Sequence, residues 1–453
     1  MDPLTRALIH HDFESVPVAQ WQNSTLAAYV FRQTSAEYRK PLLPHFAQAM
    51  HRWKTQEAEL RPLLQAWNDA GIVPLLIKGA AMAIRFYTQP HERFFGDIDL
   101  VIDRKDVPTA RDIAARLGWL VLFDENRDQS FTMHEALGLV SPKKTVKLDV
   151  HHHVLKHPPK FAGHVWSLQE KLTEHLEVFD WNGIQVRLLG PADAALVPLI
   201  LHRAWYRDRW QLKRFDYLDL EMLKQQGLTR EDLLERAAAL GCQTTAELFL
   251  QRCDPWEKRL TLTPPTAAEL QQWNTAIAAE RGYTAQQGEA ARKARIQQQF
   301  PQMLGHVLTG MGWVLKAALV LQRQQSLQAL CNRVPLKNQP PALQELWKAR
   351  IGVLGASKLL ARFPRGGSGM CVLRALSMLW WLRHAGIDAE LVSGVRNVNG
   401  TLKGHAWIEY QGTVIAVIAE DNISPMVYKV NFRSASAGNP RQTRGAGSVP
   451  EHP

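Results

Sequence analysis

Two short stretches of this chain carry residue types that do chemistry. The first is Gly96-Asp97-Ile98-Asp99-Leu100. Side chains alternate along a strand, so Asp97 and Asp99 share one face and Ile98 and Leu100 the other. Two crowded carboxylates repel each other unless a cation joins them. Mg2+ prefers carboxylate and phosphate oxygens, so a metal-bound nucleoside triphosphate is the natural third party. Gly96 lets the backbone come close to a phosphate. A third carboxylate stands in VKLDVH, where Lys147, Asp149 and His151 alternate with Val146, Leu148 and Val150. If that strand lies beside the Asp97–Asp99 strand, the three acids form a cluster able to hold two metals. One would sit on the triphosphate, the other on the attacking hydroxyl. A carboxylate there can also act as general base. D-x-D also occurs in calcium sites, glycosyltransferases and solvated turns, so the motif needs its context. Consecutive His151, His152 and His153 face opposite ways, which argues against a separate zinc site.

The second stretch is built on Cys371, which follows PRGGSGM and opens a predicted helix. The partial positive charge of a helix N-terminus favours a thiolate. The glycines before it let a substrate chain approach the sulfur. His405 lies in KGHAWIEY, at the start of a predicted strand. A cysteine on a helix and a histidine on a following strand can form a thiolate–imidazolium pair. Arg374, one turn after Cys371, reads either as a solvated helix charge or as support for the thiolate or an acidic substrate. Cys242, Cys253 and Cys331 lack this setting.

These groups must be positioned by a mixture of helices and strands. Residues 1 to about 70 read as helices ending at Gly71, followed by the short strand IVPLLIKG and a small-residue helix. The turn HERFFGD leads into the strand IDLVID. PTARDIAARLGW is a helix ending at Gly118, and KTVKLDVHHHV is a strand closing a hairpin-like region. Such a mixture predicts an α+β domain. Residues 190–253 are again helical, 254–300 read as a helical connector, and RVPLKNQPPAL (333–343) as a proline-bearing one. A helix then leads to the glycine-rich loop at 364–369. CVLRALSMLWWLRHAG stops at Gly386, and two or three strands follow. The expected domains are 1–253, a connector at 254–343, and 344–431. The small, polar tail 432–453 reads as disordered.

Bulk properties narrow the classes. The 453 residues suggest two or three domains. A net charge of +11 favours polyanions, nucleotides or acidic peptide segments. With no block of Lys and Arg and no zinc-finger or aromatic–basic pattern, nucleic acid is not an expected partner. The four cysteines form no C-x-x-C pair, which argues against structural zinc and disulfides and fits a reducing cytoplasm. No signal-peptide pattern opens the chain, and no apolar run reaches the ~20 residues of a membrane span, so membrane insertion is not expected. The 15 Trp are scattered and read as core and groove packing.

The stretch from about residue 25 to 250 resembles an uncharacterised family of minimal nucleotidyltransferases. The matching elements are Lys78-Gly79, Gly96–Leu100, Asp149-Val150-His151, the LHRAW segment at 201–205 and an acidic position near Asp216 or Asp219. The resemblance implies that Asp97, Asp99 and Asp149 bind Mg2+. It also implies that Lys78 and Arg93 contact the nucleotide phosphates or the substrate. Residues 320–430 resemble the leader peptidase of lasso-peptide biosynthesis, a transglutaminase-like cysteine protease. The match rests on Cys371, Arg374, Ala375, Gly394, Val395, His405, Ala406, Trp407 and Glu409. It implies a transglutaminase/papain-like α+β domain, Cys371 as nucleophile and His405 as general base, with no cofactor. The family places an Asp about a dozen residues after the His. Here that position is Val417, with Glu420 and Asp421 nearby, and Asp421 is the candidate orienter of His405. The expected partners are a ribosomal precursor peptide, a separate leader-recognition protein and an ATP-dependent cyclase. Two rivals stand beside this bifunctional reading: a nucleotidyltransferase whose C-terminal domain binds peptide without cutting, and a non-catalytic precursor scaffold.

Overall fold

The computed structural model describes the chain except residues 125–134, 156–161, 206–209, 322–325, 340, 342–343, 361–369, 399–400, 411–412, 417–427 and 433–453. The expected orienter Asp421, its neighbours Val417 and Glu420, the loop 364–369 and the tail therefore lie outside the described residues. The chain divides into two compact units, Met1–Arg295 and Ile296–Pro453.

The first unit is built on a seven-stranded sheet. Its strands are β1 (Leu75–Ile77), β2 (Ile98–Val101), β3 (Leu120–Asp124), β4 (Glu135–Val140), β5 (Lys147–His151), β6 (Leu176–Trp181) and β7 (Ile184–Leu189). Their order is β3-β4-β5-β2-β1-β7-β6. Only β2/β5 and β1/β7 run parallel; the other neighbours are antiparallel. Side-chain alternation gives the sheet two faces. Leu76, Ile98, Leu100, Leu148, Val150 and Leu188 join Leu60, Leu63, Trp67 and Ile113 in one core cluster. The helices Leu43–Asp69 and Val107–Arg116 supply that cover. Leu75, Ile77 and Val101 join a second cluster with the helices between residues 191 and 250. Asp99 shares this second face, so the acids of β2 and β5 point away from the main helical cover.

The expected connector at 254–343 is not one piece. A small hairpin, β8 (Cys253–Asp254) with β9 (Arg259–Leu260), and the helix Ala267–Ala276 finish the first unit. Trp273 and Ile277 are buried in its core, where Trp273 meets Trp210 edge-on. Apolar side chains hidden in a run rich in Gln and Ala explain why composition alone suggested a linker. The second proline-bearing stretch belongs to the second unit. There Lys337 N donates to Arg383 O, and Trp380 Nε1 donates to Leu330 O at 2.9 Å.

The second unit carries β10 (Ala389–Val398), β11 (Thr401–Tyr410), β12 (Thr413–Ala416) and β13 (Tyr428–Phe432). They form an antiparallel sheet in the order β12-β11-β10-β13. β13 was not foreseen, because a five-residue strand beside a polar tail gives little periodic signal. The helix Met370–His384 packs on β10 and β11, and the helix Gln344–Leu360 packs on that helix. The helix Ala285–Leu321 includes 19 residues, Met303–Leu321, long and apolar enough to cross a membrane by length and composition. No apolar run of that length was expected, and Lys316 stands within this one. Its other face is internal, with Val307, Val314 and Ala317 buried.

Two glycines fix where that helix crosses Gln344–Leu360. A Cβ on Gly310 would stand 2.3 Å from the backbone carbonyl of Gly352, whereas a Cβ on Gly312 would meet nothing within 4 Å. Gly310→Ala is expected to destabilise the protein by about 1–3 kcal/mol through overpacking. Gly312→Ala is expected to stabilise it by up to ~1 kcal/mol through helix propensity. Urea unfolding of the two variants checks this, and equal midpoints would refute the close crossing.

Candidate functional site

β1 ends at Ile77, opposite Asp99 of β2. Lys78 follows with φ +58°, in the left-handed region. A non-glycine residue held there costs ~1–3 kcal/mol, and such outliers gather at functional sites. The turn opens the helix Lys78–Arg85 and brings Lys78 Nζ to 2.5 Å from Asp99 Oδ1. Gly79 has a packing reason: a Cβ there would stand 2.8 Å from Phe95 Cβ. At Gly96 a Cβ would meet nothing within 4 Å, so the glycine is not demanded by the protein's own packing.

β2 and β5 pair in parallel with Asp99 directly opposite Asp149. This is the juxtaposition that strand alternation anticipated. His151 Nε2 lies 2.9 Å from Asp99 Oδ1. Lys147 Nζ lies 3.5 Å from Asp149 Oδ1 and 3.9 Å from Asp97 Oδ2. Burial alone would raise the Asp99 pKa, but Lys78 and His151 outweigh it and hold the carboxyl well below the usual range. Asp149 goes the other way. Burial, then Asp97, Glu135 and Asp99, push it up to about 6 against the pull of Lys147. Among the described residues, no three His, Cys, Asp or Glu side chains gather into a ready metal-holding group. Asp97 stands in a bend just before β2 rather than in the strand as expected, so the cluster is Asp99 and Asp149 on adjacent strands with Asp97 beside them, each near a lysine or histidine of the protein.

Arg93 differs from expectation. Its Nε and Nη2 donate to both oxygens of Asp219 at 2.7 and 2.8 Å, and the guanidinium lies 4.2 Å from the Phe215 ring centroid. Tyr87 also donates to Asp219, at 2.8 Å. The guanidinium is engaged in a buried pair rather than turned to a phosphate. The LHRAW segment has a similar purpose: Arg203 Nη2 donates to Asp216 at 2.9 Å. Both downstream acids therefore tie the helix Arg214–Gln225 to other parts of the unit. Asp219→Ala is expected to cost about 3–5 kcal/mol by stranding Arg93. Arg93→Ala and the double variant should cost about the same, since all three remove one pair. Additive losses in chemical unfolding would contradict a single structural unit.

In the second unit, Cys371 is the second residue of the helix Met370–His384. His405 sits on β11, opposite Gly394 of β10. Both line one cleft of about 400 Å3, counted to its open mouth, with Val353, Arg374, Met378 and Trp407. Cys371 is half-buried, while Cys242, Cys253 and Cys331 are fully buried. Burial pushes the thiols of Cys242 and Cys331 up to about 12 and that of Cys253 well above its usual value. Among the four, only Cys371 combines access with a histidine across the same cleft. The H-A-W-x-E pattern has a local cause, since alternate residues of β11 share a face. The His405 and Trp407 rings are nearly parallel with centroids 6.2 Å apart, and Trp407 Nε1 donates to Glu409 Oε1 at 2.8 Å.

Arg374 is not a solvated helix charge: it lines the cleft, and its Nε donates to buried Ser357 Oγ at 2.8 Å. The register of β11 and β12 shifts between Ile408 and Glu409, a bulge just before the outlying segment that holds Asp421. Alternation already put Lys147 on the face of Asp149, but Glu135 and Arg350 gave no sign of belonging to these two neighbourhoods. A single charge, with no alternating neighbours of known role, carries little signal of what it faces.

Residues 22–256 match the family model described as "Uncharacterised nucleotidyltransferase", and residues 307–427 match that of the "Transglutaminase-like superfamily". No curated protein and no solved structure matches the chain. Both matched families are typically enzymatic. The second match is coarser than the lasso-peptide resemblance and names no substrate. The chain belongs to the uncharacterised nucleotidyltransferase family and carries, after that domain, a transglutaminase-like one.

Proposed function

We propose that this protein matures a lasso-type ribosomal peptide in the cytoplasm, cutting off the leader at Cys371 and transferring a nucleotidyl group at the Asp97–Asp99–Asp149 row. The observation that carries the reading is Cys371 and His405 lining one cleft from a helix N-terminus and a facing strand. In the cut, His405 takes the thiol proton and the Cys371 sulfur attacks the carbonyl carbon of the last leader residue. The C–N bond breaks, and the imidazolium gives its proton to the departing amine of the core peptide. Water, activated by His405, then hydrolyses the leader thioester and regenerates the thiol. A separate leader-recognition protein delivers the precursor, and an ATP-dependent cyclase closes the ring.

At the first site the donor chemistry fits Mg2+: oxygen ligands on neighbouring strands, with Asp149 held up at about 6 partly by acid neighbours that a cation would offset. Asp97, Asp99 and Asp149 would hold the ion, which when bound spreads the charge of the triphosphate and favours the attacking hydroxyl. Lys78 supplies a fixed cation beside Asp99, and His151 orients that carboxylate. Two sites on one chain raise each other's effective concentration for a shared substrate.

The test is mass spectrometry of a cognate precursor with the protein, its recognition partner and Mg-ATP. The expected products are a leader-free peptide, lost only in Cys371→Ala, and a nucleotide-sized adduct, lost only in Asp97→Ala/Asp99→Ala. An uncut precursor would refute the peptidase, leaving a nucleotidyltransferase with a peptide-binding second domain. No adduct with any nucleoside triphosphate would refute the transfer.

A further inference from the structure

The cleft at Cys371 has a charge pattern that the cutting chemistry does not use. Its walls come from three elements. Arg350, Val353 and Leu354 face it from the helix Gln344–Leu360, Arg374, Ala375 and Met378 from the helix Met370–His384, and His405–Ile408 from β11. Among the described residues the lining is chiefly apolar, with two guanidinium groups and no Asp or Glu. The nearest acids in sequence are engaged elsewhere: Glu345 binds Lys348 at 2.8 Å and Trp381 Nε1 at 2.8 Å, and Glu409 accepts from Trp407. Arg350 is exposed and makes no ion pair or hydrogen bond among the described residues. Arg374 also lines the cleft, and its Nε is fixed by a bond to buried Ser357 Oγ. Two cations beside a low-polarity slot attract an anion, the more so at half-buried Arg374 than at exposed Arg350. A guanidinium fork suits a carboxylate.

We infer that the cleft selects an acidic peptide. An apolar side chain next to the bond presented to Cys371 would fill the slot between Val353, Met378 and Trp407. An Asp or Glu beside it would be held by Arg350 and Arg374. Arg350 is then a specificity-determining residue, and Arg374 holds the inner edge of the same carboxylate. This inference rests on the peptidase reading of Cys371.

The experiment uses the full-length protein and three peptide electrophiles: acetyl-Glu-Leu, acetyl-Gln-Leu and acetyl-Lys-Leu chloromethyl ketones. Each alkylates a thiolate sulfur with loss of chloride, and intact-mass spectra give the rate of the single adduct. Cys371→Ala, which should give no adduct, shows that the label is on Cys371. The Glu probe is expected to react about tenfold faster than the Gln probe, with the Lys probe slowest, as one charge-assisted contact allows. Arg350→Lys keeps this order. Arg350→Glu, a change at an exposed helix position, reverses it in favour of Lys. Equal rates for the three probes, or an unchanged order in Arg350→Glu, would overturn the acidic preference and leave the peptidase reading standing. No labelling of Cys371 by any peptide probe, while iodoacetamide still labels it, would overturn both.

Discussion

Cys371→Ala and His405→Ala are each expected to lower leader removal by about 10^4-fold or more, and the double variant to be scarcely slower than either. The reason is that sulfur and imidazole act as one unit. Without the sulfur, the imidazole has no thiol to deprotonate; without the imidazole, no base stands ready and the departing amine receives no proton. Each single change therefore removes most of what the pair supplies, and the second change finds little left to remove. Neither position carries much of the fold. Cys371 lies half-buried at a helix start, and β11 keeps its backbone pairing with β10 whatever side chain stands at 405. Circular dichroism should accordingly show both variants folded. Single-turnover rates from mass spectrometry give the comparison. Losses that multiply in the double variant would show that the two residues act separately. Residual cutting near the wild-type rate in Cys371→Ala would place the nucleophile elsewhere. The buried cysteines are poor substitutes, because their thiols are held far from ionisation.

Local pattern carried the elements of this chain well, and long-range pairing carried the sites. Alternation in VKLDVH placed Asp149 on the polar side of β5, and alternation in IDLV did the same for Asp99. Both strands exist, with Asp99 opposite in face to Ile98 and Leu100, although every residue of β2 is buried and Val101 on Asp99's face joins a second core cluster. The contact that matters, Asp99 opposite Asp149, joins strands separated in sequence by β3 and β4, and only the fold decides it. Arg93 illustrates the opposite outcome. The family resemblance implied a phosphate or substrate contact for it, yet its partner Asp219 lies 126 residues away and engages it in a buried pair. The Gln- and Ala-rich run after 254 reads as a linker because its average polarity hides Trp273 and Ile277. Two apolar residues suffice to dock a short helix onto a core. Cys371 was readable because it opens a helix, whereas His405, expected at the start of a strand, stands in the middle of β11. Arg350 was not readable, since one arginine on a polar helix looks like any other.

Asp149→Asn is expected to abolish nucleotidyl transfer, lowering it by ~10^3-fold or more, while making the metal-free protein more stable. The two effects share one cause. Asp149 is pushed up to about 6 by burial and by Asp97, Glu135 and Asp99, despite the pull of Lys147. A carboxyl whose pKa is raised in the fold binds its proton more tightly there than in the unfolded chain. Between pH 3.8 and about 6 the folded state holds more protons, so this group's contribution to stability falls as pH rises. Above that window the ionised group costs the fold about 3 kcal/mol, a penalty that a neutral amide of the same shape does not carry. In EDTA at pH 7.5 the variant should therefore melt above the wild type, and the gap should narrow near pH 5. Mg2+ with a nucleoside triphosphate should raise the melting temperature of the wild type and leave the variant almost unmoved, because binding to the folded state alone stabilises it. Asp99→Asn should behave differently. Asp99 is held ionised by Lys78 and His151, so its loss destabilises the protein as well as stopping transfer. Differential scanning calorimetry on both variants separates the cases. If Asp149→Asn melts below the wild type in EDTA, Asp149 is a structural acid rather than one held in readiness for a cation.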